Sequence, residues 1–433
     1  MKTKELHILC RSEQKSEKMK SNLLFLNGCY PKESDNYFVN NSNVMPQNAA
    51  NVLAWRIIEG LELNIPGRFK VLTCPFIGYY PKGFKKLFIK DSIWSHNGKD
   101  KDQLLGFINI KGLETWIKSV RVYKYVKKWY KLSKENRHML IYSHYAGFMR
   151  AAGKIKRHMP DMHITCLVTD MNEMDERKDL MGIKGKIKGI PRAIMIRITY
   201  KNLKYISSFV LLAEKMKEYL KVGTRPYIVV EGIAAPLTYS KIVNNGKFIK
   251  KEKEFRVVYT GTLHKRYGAV MLAEAFLNQK VEKNMTLYVC GSGDGEYIVK
   301  ALSEKAPNIH YLGVVAHEDA IALQESADLL VNSMPNFGIH TALSFPSKTM
   351  EYMIMGKPMA CFKVEGIPDE YDEYLMYFEE ETAESIAKKV NEIAKLPKET
   401  LTEIGRKNNN FVKTNKNPLV QVKRILDMLD IDD

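Results

Sequence analysis

A set of polar residues at the start of one short predicted helix is the part of this sequence best suited to chemistry. Ser347, Lys348 and Thr349 follow a proline turn and open an amphipathic run. The first amide groups of a helix are free and its dipole is positive there, so this end attracts anions such as phosphate. Glu351 follows about one turn later and can accept two sugar hydroxyls. The segment therefore predicts a diphosphate and ribose site, with a capped surface helix as the plainer alternative.

The loop after one predicted strand suits the same ligand. The strand at 255–259 leads into a helix through a loop that contains Gly261, Thr262, Lys265 and Arg266. Glycine lets the backbone approach a ligand closely, and the two cations would neutralise a diphosphate. The spacing is neither that of a P-loop nor that of a GxGxxG dinucleotide fold. A solvated loop is the alternative for this segment taken alone.

Two further strand ends carry related features. The strand at 285–290 ends in Gly291 and Gly293, which permit tight turns and bring amides toward a ligand. The strand at 309–312 leads to Val314 and Val315, an apolar pair that suits a nucleobase. Carboxyl ends of parallel strands meet at one sheet edge, so we expect these loops and the Glu351 helix to form one site. Ordinary turn chemistry would explain each glycine singly.

The elements that position these residues alternate between strand and helix along the whole chain, which predicts parallel α/β sheets. A chain of 433 residues is too long for one core. We expect an α/β protein with two doubly wound, Rossmann-like domains facing a cleft. The predicted parts are a polar leader at 1–20, an N-terminal domain at 21–235, a linker at 236–254, a C-terminal domain at 255–408 and a C-terminal helix at 409–433 that packs back on the N-terminal domain.

Composition indicates the cellular compartment of the protein and which kinds of cysteine site to expect. The six cysteines are scattered singly, so neither a zinc site nor a disulfide framework is expected, and a reducing cytosol fits best. No apolar run approaches the roughly 20 residues that span a bilayer. Residues 1–20 lack the apolar stretch of a signal peptide. These observations favour a cytoplasmic protein.

The net charge of +18 is concentrated in the N-terminal half, where 68–137 holds 17 Lys/Arg against 5 Asp/Glu. Lys85, Lys86, Lys124 and Lys128 lie in basic segments that also contain aromatic residues, a composition typical of membrane surfaces. Each cation near an anionic leaflet adds on the order of 1 kcal/mol of attraction. We expect reversible docking on the inner face of the membrane, with a plain solvated surface as the alternative.

The predicted helix at 113–132 carries an apolar stripe and a basic face. The stripe, which we expect in the core, is formed by Leu113, Trp116, Val120, Tyr123, Val126 and Tyr130. The opposite face, which we expect outside the core, carries Lys118, Arg121, Lys124, Lys128 and Lys131.

The C-terminal half resembles the nucleotide-sugar glycosyltransferases of the GT-B fold, especially retaining family 4 enzymes of bacterial surface-polysaccharide synthesis. The matching segments are Val258-Tyr-Thr-Gly-Thr-Leu263, Leu287-Tyr-Val-Cys-Gly-Ser-Gly293, Pro307-Asn-Ile-His-Tyr-Leu-Gly313, Ala327-Asp-Leu-Leu-Val331 and Pro346-Ser-Lys-Thr-Met-Glu-Tyr-Met353. The resemblance implies Gly261, Lys265 and Arg266 near the diphosphate. It also implies Val314 or Val315 near the base and Glu351 on the ribose.

The resemblance implies a hexosyltransferase that moves a sugar from a nucleotide-diphosphate donor to a glycan or lipid-linked acceptor. It implies retention of configuration, no metal and no cofactor, with the acceptor on the N-terminal domain. His144 matches the place of a histidine that contacts the donor sugar, with a hydrogen-bonded turn histidine as the alternative. Asp170 follows the next strand and either accepts an acceptor hydroxyl or caps a helix. Leu343 stands where the family has the first glutamate of a pair, so donor-sugar recognition does not carry over.

Two other functions remain open from the sequence. A nucleotide-sugar epimerase on the same fold would need no second substrate. A basic nucleic-acid-binding protein would explain the lysines and arginines, but it would leave the phosphate-binding edge without a role, so no nucleic acid is expected.

Overall fold

A computed structural model describes residues 23–44, 48–133, 137–169, 171, 183–234, 248–277 and 280–431. These residues form two compact units. Unit 1 contains the described residues of Met1–Leu211, Met216–Val230 and Gln421–Asp433, and unit 2 contains those of Leu212–Lys215 and Glu231–Val420. The predicted leader at 1–20 and residues 236–247 of the predicted linker lie outside the described residues. The rest of the predicted linker belongs to unit 2.

Unit 1 contains an eight-stranded sheet and a separate two-stranded ribbon. Its strands are β1 (Leu23–Asn27), β2 (Phe69–Thr73), β3 (Phe88–Ile89), β4 (Ser92–Trp94), β5 (Asp102–Leu104), β6 (Phe107–Ile108), β7 (His138–Tyr142), β8 (His163–Val168), β9 (Ser208–Leu211) and β10 (Tyr227–Val229). The sheet order is β10-β9-β8-β7-β1-β2-β5-β4, and only β4 and β5 pair antiparallel within it. Strand order reverses between β1 and β7, the position at which doubly wound sheets bind ligands.

Helices of unit 1 lie between these strands. They are α1 (Asp35–Asn40), α2 (Asn48–Asn64), α3 (Leu113–Leu132), α4 (Ala146–His158), α5 (Ile183–Asn202) and α6 (Met216–Tyr219). Continuous apolar runs explain the central strands, since β1 and most of β2, β7 and β8 are buried on both faces.

Helix α3 buries a different face from the one that its apolar residues predict. Leu113, Trp116 and Val120 are 44%, 41% and 38% exposed, whereas Lys118 is only 5% exposed. The buried stripe is Thr115, Ser119, Val122, Val126 and Trp129, which follows the helical period but mixes polar and apolar residues.

Contacts with helix α4 explain this choice of face. The guanidinium of Arg150 lies 4.2 Å from the ring centroid of Trp116, and its Nη1 donates to Ser119 Oγ at 3.0 Å. The prediction was therefore wrong for the first half of the stripe and for Lys118, whereas Tyr123 and Val126 of the same stripe are buried as predicted. A cation can cover an exposed indole ring, and small hydroxyl residues allow close packing in the core.

Unit 2 contains a second, fully parallel sheet. Its strands are β11 (Phe255–Thr260), β12 (Met285–Cys290), β13 (Ile309–Tyr311), β14 (Leu329–Asn332), β15 (Met359–Cys361) and β16 (Met376–Tyr377), in the order β13-β12-β11-β14-β15-β16. Strand order reverses between β11 and β14, so ligands are expected at the carboxyl ends of these two strands.

Eight helices are described from residue 269 onward. They are α7 (Ala269–Ala275), α8 (Glu296–Lys305), α9 (His317–Glu325), α10 (Ile339–Ala342), α11 (Lys348–Ile354), α12 (Ala383–Ala394), α13 (Lys398–Asn415) and α14 (Pro418–Met428). Instead of the single helix expected at 409–433, this segment contains the end of α13 and all of α14. Pro418 begins the new helix because proline fits a first turn but not a helix interior.

A buried ion cluster ties the beginning of unit 2 to its end. Lys416 Nζ lies 2.6 Å from both Glu231 Oε1 and Glu370 Oε1, and Tyr371 Oη donates to Glu231 Oε1 at 2.7 Å. Lys416 is 1% exposed and Glu231 is 3% exposed. Opposite charges and a hydroxyl satisfy one another here, which a buried charge requires.

Candidate functional site

A buried tyrosine holds helix α11 against the central strand of unit 2. Tyr352 Oη accepts a hydrogen bond from the amide of Thr260 at 2.9 Å and donates to the carbonyl of the same residue at 3.1 Å. Burial raises the pKa of Tyr352, so its hydroxyl stays protonated at neutral pH. Thr260 ends β11. The start of α11 is thereby fixed at the sheet edge where strand order reverses.

The carboxylate of Glu351 is positioned by a residue that the sequence analysis did not identify. Gln324 on α9 is buried, and its Nε2 donates to Thr260 Oγ1 at 2.7 Å and to Glu351 Oε1 at 2.8 Å. The other carboxylate oxygen, Oε2, lies 3.6 Å from Lys348 Nζ, and the Glu351 side chain remains 45% exposed. The only signal for Gln324 in the sequence is its place after the apolar run 321–323. Glu351 is thus held in place while part of its surface can accept hydroxyl donors.

Lys348 crosses the backbone of the loop after β11. Gly261 has a φ of 144°, and a Cβ built on it would lie 2.1 Å from Lys348 Cε. A side chain at this position would displace the lysine, so glycine is required here for packing as well as for conformation. The ammonium of Lys348 and the carboxylate of Glu351 therefore lie together beside the end of β11.

The glycine loops are tied to one another through their backbones. The amide of Gly261 donates to the carbonyl of Cys290 at 2.9 Å, and that of Gly291 donates to the carbonyl of Gly313 at 2.8 Å. A Cβ on Gly291 would lie 1.7 Å from Gly261 O, and one on Gly293 would lie 2.5 Å from the carbonyl carbon of Leu263. The amides of Gly261 and Gly291 are therefore bonded within the protein, and these glycines let adjacent loops pack.

Other residues predicted at this edge differ in accessibility. Ser347 is exposed and the side chain of Lys348 is 25% exposed, but Thr349 is completely buried. The Thr349 hydroxyl has no hydrogen-bond partner among the described residues. Because it is buried against the protein, this hydroxyl cannot meet a phosphate at the surface, and the expectation for its side chain was wrong.

The cationic loop has partners within unit 2. Lys265 Nζ donates to Tyr297 Oη at 3.0 Å, and this bond raises the pKa of Lys265. The guanidinium of Arg266 lies 5.4 Å from the ring centroid of Phe337. The side chain of Lys265 therefore points toward α8, which carries Tyr297. The side chain of Arg266 points toward the segment after β14.

The remaining members of the predicted set lie at the strand ends as expected from their positions. Thr262 and Val314 are exposed, the latter by 75%, whereas Val315 packs against the core of unit 2. Of the two valines, only Val314 presents most of its side chain to solvent.

In unit 1, His144 lies two residues after the end of β7 and lines a cavity of about 510 Å³. It is buried, and its backbone carbonyl accepts a hydrogen bond from Thr199 Oγ1 at 3.3 Å. The cavity is also lined by Glu114, Lys118 and Tyr145, three residues that the sequence analysis did not place in a site. Asp170, the other predicted catalytic residue, lies outside the described residues.

The four lysines of the predicted membrane surface are all exposed. Lys85 Nζ donates to the carbonyl of Asn40 at 2.8 Å, while Lys124 and Lys128 lie one turn apart on α3. In the described part of the chain, every helix is too short or too polar to cross a membrane.

One group of possible metal ligands is found among the described residues. Glu62, His96 and Asp100 offer ligand atoms that lie within 4.8 Å of one another in unit 1. Asn97 Nδ2, however, donates to Glu62 Oε1 at 3.0 Å and to Asp100 Oδ2 at 2.7 Å. Both carboxylates therefore have a protein donor already, and we assign no ion to them.

Comparisons with known proteins bear on both units. Residues 254–395 match the family model Glycosyl transferases group 1. A search of curated protein sequences gives no significant match. The structure is similar to the N-terminal domain of Candida albicans trehalose-6-phosphate phosphatase, with 11% identity, a TM-score of 0.61, and coverage of 95% of this chain and 97% of that one.

Two further solved structures cover nearly the whole chain. An E. coli protein described as trehalose-6-phosphate bound with UDP-2-fluoro glucose shares 9% identity, with a TM-score of 0.57 and coverage of 95% of this chain and 99% of that one. WaaG, described as a glycosyltransferase involved in lipopolysaccharide biosynthesis, shares 14% identity, with a TM-score of 0.52 and coverage of 94% and 99%. The predicted fold class, two Rossmann-like domains of the GT-B type, is confirmed.

Tyr352→Phe should lower the free energy of unfolding by about 1–3 kcal/mol, because the buried amide of Thr260 loses its partner. Urea denaturation followed by circular dichroism measures this. Tyr374→Phe is the matched control, since Tyr374 stacks on Phe411 through its ring. Equal effects of the two substitutions would show that the Tyr352 hydroxyl does not hold the site together.

Proposed function

We propose that this chain, a glycosyltransferase by the group 1 domain at residues 254–395, moves a sugar from a nucleotide-diphosphate donor to a hydroxyl of a glycan or lipid-linked glycan. The observation that carries the proposal is the pairing of Glu351 and Lys348 beside Gly261, at the end of β11. A half-exposed carboxylate suits the two ribose hydroxyls, and an ammonium next to it suits the diphosphate. The exposed side chain of Val314 is a surface for the base.

The donor class has independent support. The similar E. coli protein is described with a bound UDP-sugar analogue. A uridine or guanosine diphosphate sugar would place its phosphates toward Lys348 and its ribose toward Glu351. Gln324, which holds Glu351 through Oε1, would keep this carboxylate from turning away when the nucleotide leaves.

The reaction is proposed to retain anomeric configuration and to need no divalent metal. A departing diphosphate requires positive charge, and fixed cations can supply it in place of a metal. Lys348 is the best placed, because its side chain lies across the loop after β11. Lys265 and Arg266 add charge to the same loop, with Lys265 reaching the phosphates after it releases Tyr297.

The structure of unit 1 favours transfer to an acceptor over epimerisation, and the Glu351 site argues against nucleic-acid binding. The unit 1 cavity at the β1–β7 switch point offers room for a second substrate, which an epimerase would not need. A nucleic-acid-binding protein would have no use for a fixed carboxylate such as Glu351 beside a phosphate-binding lysine.

We also propose that unit 1 docks on anionic membrane from the cytoplasmic side. Lys85, Lys86, Lys124 and Lys128 are exposed. Arg121 Nη2 contacts Asp91 Oδ2 at 2.6 Å and so joins helix α3 to the segment that follows Lys85 and Lys86. Phe88 in this segment is 62% exposed, and an aromatic side chain among cations suits the lipid headgroup region. Such docking would bring a lipid-linked acceptor to the enzyme.

Glu351→Ala should weaken binding of UDP or GDP by about tenfold or more, because hydrogen bonds to a charged group contribute about 1.5–3 kcal/mol. Isothermal titration of each nucleotide measures the change. Glu399→Ala, at an exposed position on α13, should bind as the parent does. Parent-like affinity in Glu351→Ala would mean that the ribose lies elsewhere.

Turnover of a nucleotide sugar should survive EDTA, because in the proposed mechanism cations of the protein stabilise the departing diphosphate in place of a metal. The measurement is release of nucleotide diphosphate from a panel of UDP- and GDP-sugars with and without chelator. Activity that disappears on chelation and returns with magnesium or manganese would contradict the metal-free mechanism.

Replacing Lys85, Lys86, Lys124 and Lys128 by Glu should release the enzyme from vesicles that contain anionic lipid, as should added salt, because charges in solvent are screened within about 10 Å at 0.1 M. Vesicle sedimentation measures bound protein. The control carries the same change at Lys300, Lys305, Lys398 and Lys413, which are also exposed. If both variants stay bound or both are released, these four lysines are not a specific docking surface.

A further inference from the structure

Two histidines lie side by side in unit 1, at the end of the sheet opposite to the cavity. His138 is the first residue of β7 and His163 is the first residue of β8, and the two residues are paired in the parallel register of these strands. The centroids of their rings lie 5.2 Å apart, and the ring planes are inclined by 37°. Both residues are half-buried. The site on unit 2 and the cavity make no use of this pair.

The hydrogen bonds of the two rings suit neutral imidazole. His163 Nε2 lies 3.0 Å from Ser208 Oγ, which lies 2.8 Å from Thr165 Oγ1. The Nδ1 atom of His138 is buried and has no hydrogen-bond partner among the residues that the structure describes. A neutral ring can leave this nitrogen as a bare lone pair, whereas a protonated ring carries an N–H donor on both nitrogens. Protonation of His138 would therefore leave a buried donor without an acceptor, which is costly.

Burial is the main reason that both rings stay neutral. Burial, and after it the charge on the neighbouring His163 ring, lower the pKa of His138 from 6.5 to about 4. Burial, and after it the ammonium of Lys156, lower the pKa of His163. The carboxylate of Asp430 opposes these effects at both rings. One nearby charge thus resists protonation of the pair and one favours it.

The elements packed around the pair differ in the charge that they bring to it. Helix α4 supplies Lys156, whose Nζ donates to the backbone directly before β8. Arg137 precedes β7, but its Nη1 lies 2.7 Å from Asp161 Oδ2, so its charge is paired. Strands β1 and β9 lie beside the pair with the uncharged Leu23 and Ser208. A protonated ring would therefore face one ammonium and one carboxylate, and repulsion would be added as soon as the second ring took up a proton.

We propose that His138 and His163 form an acid-sensitive lock: the two neutral rings hold the amino ends of β7 and β8 together, and protonation of either ring loosens this part of unit 1. Strand β7 also leads to the cavity, because Ser143 and His144 lie within two residues of its end and line the wall. Both histidines belong to unit 1, so acid should weaken unit 1 rather than unit 2. Such a lock requires neither a nucleotide nor an acceptor, so it stands apart from the proposed transferase function.

The proton balance gives the direction of the effect. In the unfolded chain both histidines take up protons below about pH 6.5, whereas in the folded chain His138 stays neutral down to about pH 4. Unfolding between these two values takes up protons, so the stabilising effect of the pair is complete above about pH 6.5 and is lost as the pH falls toward about 4. One linked proton changes the unfolding equilibrium by up to about tenfold for each pH unit.

Hydrogen–deuterium exchange of the full chain, followed by mass spectrometry from about pH 7.5 to about pH 5, tests the lock. Exchange rates are divided by the intrinsic rate at each pH, so that the protection of β7 and β8 can be compared with that of β11 and β12 in the same sample. His138→Gln and His163→Gln remove one titrating ring each. Asp430→Asn removes the carboxylate that favours protonation. His158→Gln, at an exposed position on α4, is the matched control.

In the parent, the protection of β7 and β8 should fall about tenfold or more over this pH range, relative to that of β11 and β12. His158→Gln should behave in the same way. The fall should be smaller in His138→Gln and His163→Gln, and larger in Asp430→Asn. A ring substitution that only disturbed packing would lower protection at every pH and would leave its pH dependence unchanged.

Protection in the parent that falls equally in both units, or not at all, would overturn the lock. The same pH dependence in the parent and in both histidine variants would also overturn it, as would an equal or smaller fall in Asp430→Asn. This last variant decides the question even if a histidine variant fails to fold, since Asp430 is exposed and asparagine tolerates its φ of 52°. A general acid effect on carboxylates would shrink, not grow, when one carboxylate is removed.

Discussion

The two hydrogen bonds between Tyr352 and the backbone of Thr260 are the constraint on which the unit 2 site depends. They join the last residue of the central strand to helix α11, and Gln324 extends the same network to Glu351. Tyr352 is fully buried, so its hydroxyl has no water to replace a lost partner. A shift of α11 by one residue would bring Met353 or Glu351 to this position and would move Lys348 away from Gly261. The chemistry at the surface is therefore set by a bond in the core.

Much of the fold follows from the sequence, because buried parallel strands need continuous apolar runs. Strand β12 and helix α3 have the predicted bounds, and β11 differs by one residue. The strands β3, β6 and β16, with two residues each, were not predicted. So short a segment has no period of its own, and pairing with a neighbour defines it.

The candidate site is less predictable than the fold, because sequence gives the side-chain type but not its direction. Lys348 and Glu351 could be placed at the same sheet edge as the end of β11, because the carboxyl ends of parallel strands meet there. The burial of Thr349, the bond from Lys265 to Tyr297 and the position of Gln324 depend on neighbours far away in sequence. Helix α3 is the clearest example, because Lys118 lies on the face of the helix that was predicted to be polar and yet is buried in the wall of a cavity. The Lys118 ammonium donates to the carbonyl of Pro75, which is far away in sequence, and no local pattern records that contact.

The ion pair between Glu231 and Lys416 has a consequence for the order in which the chain can fold. Apart from the four residues Leu212–Lys215, unit 2 is an insertion, because the chain leaves unit 1 after Val230 and returns to it at Gln421. With Glu231 and Lys416 2.6 Å apart, the two ends of the insertion are closed into a loop by the insertion itself. A ribosome would release the whole of unit 2 before the last part of unit 1 existed. The inserted unit can then fold first and present both ends together, which lowers the entropic cost of adding the C-terminal segment.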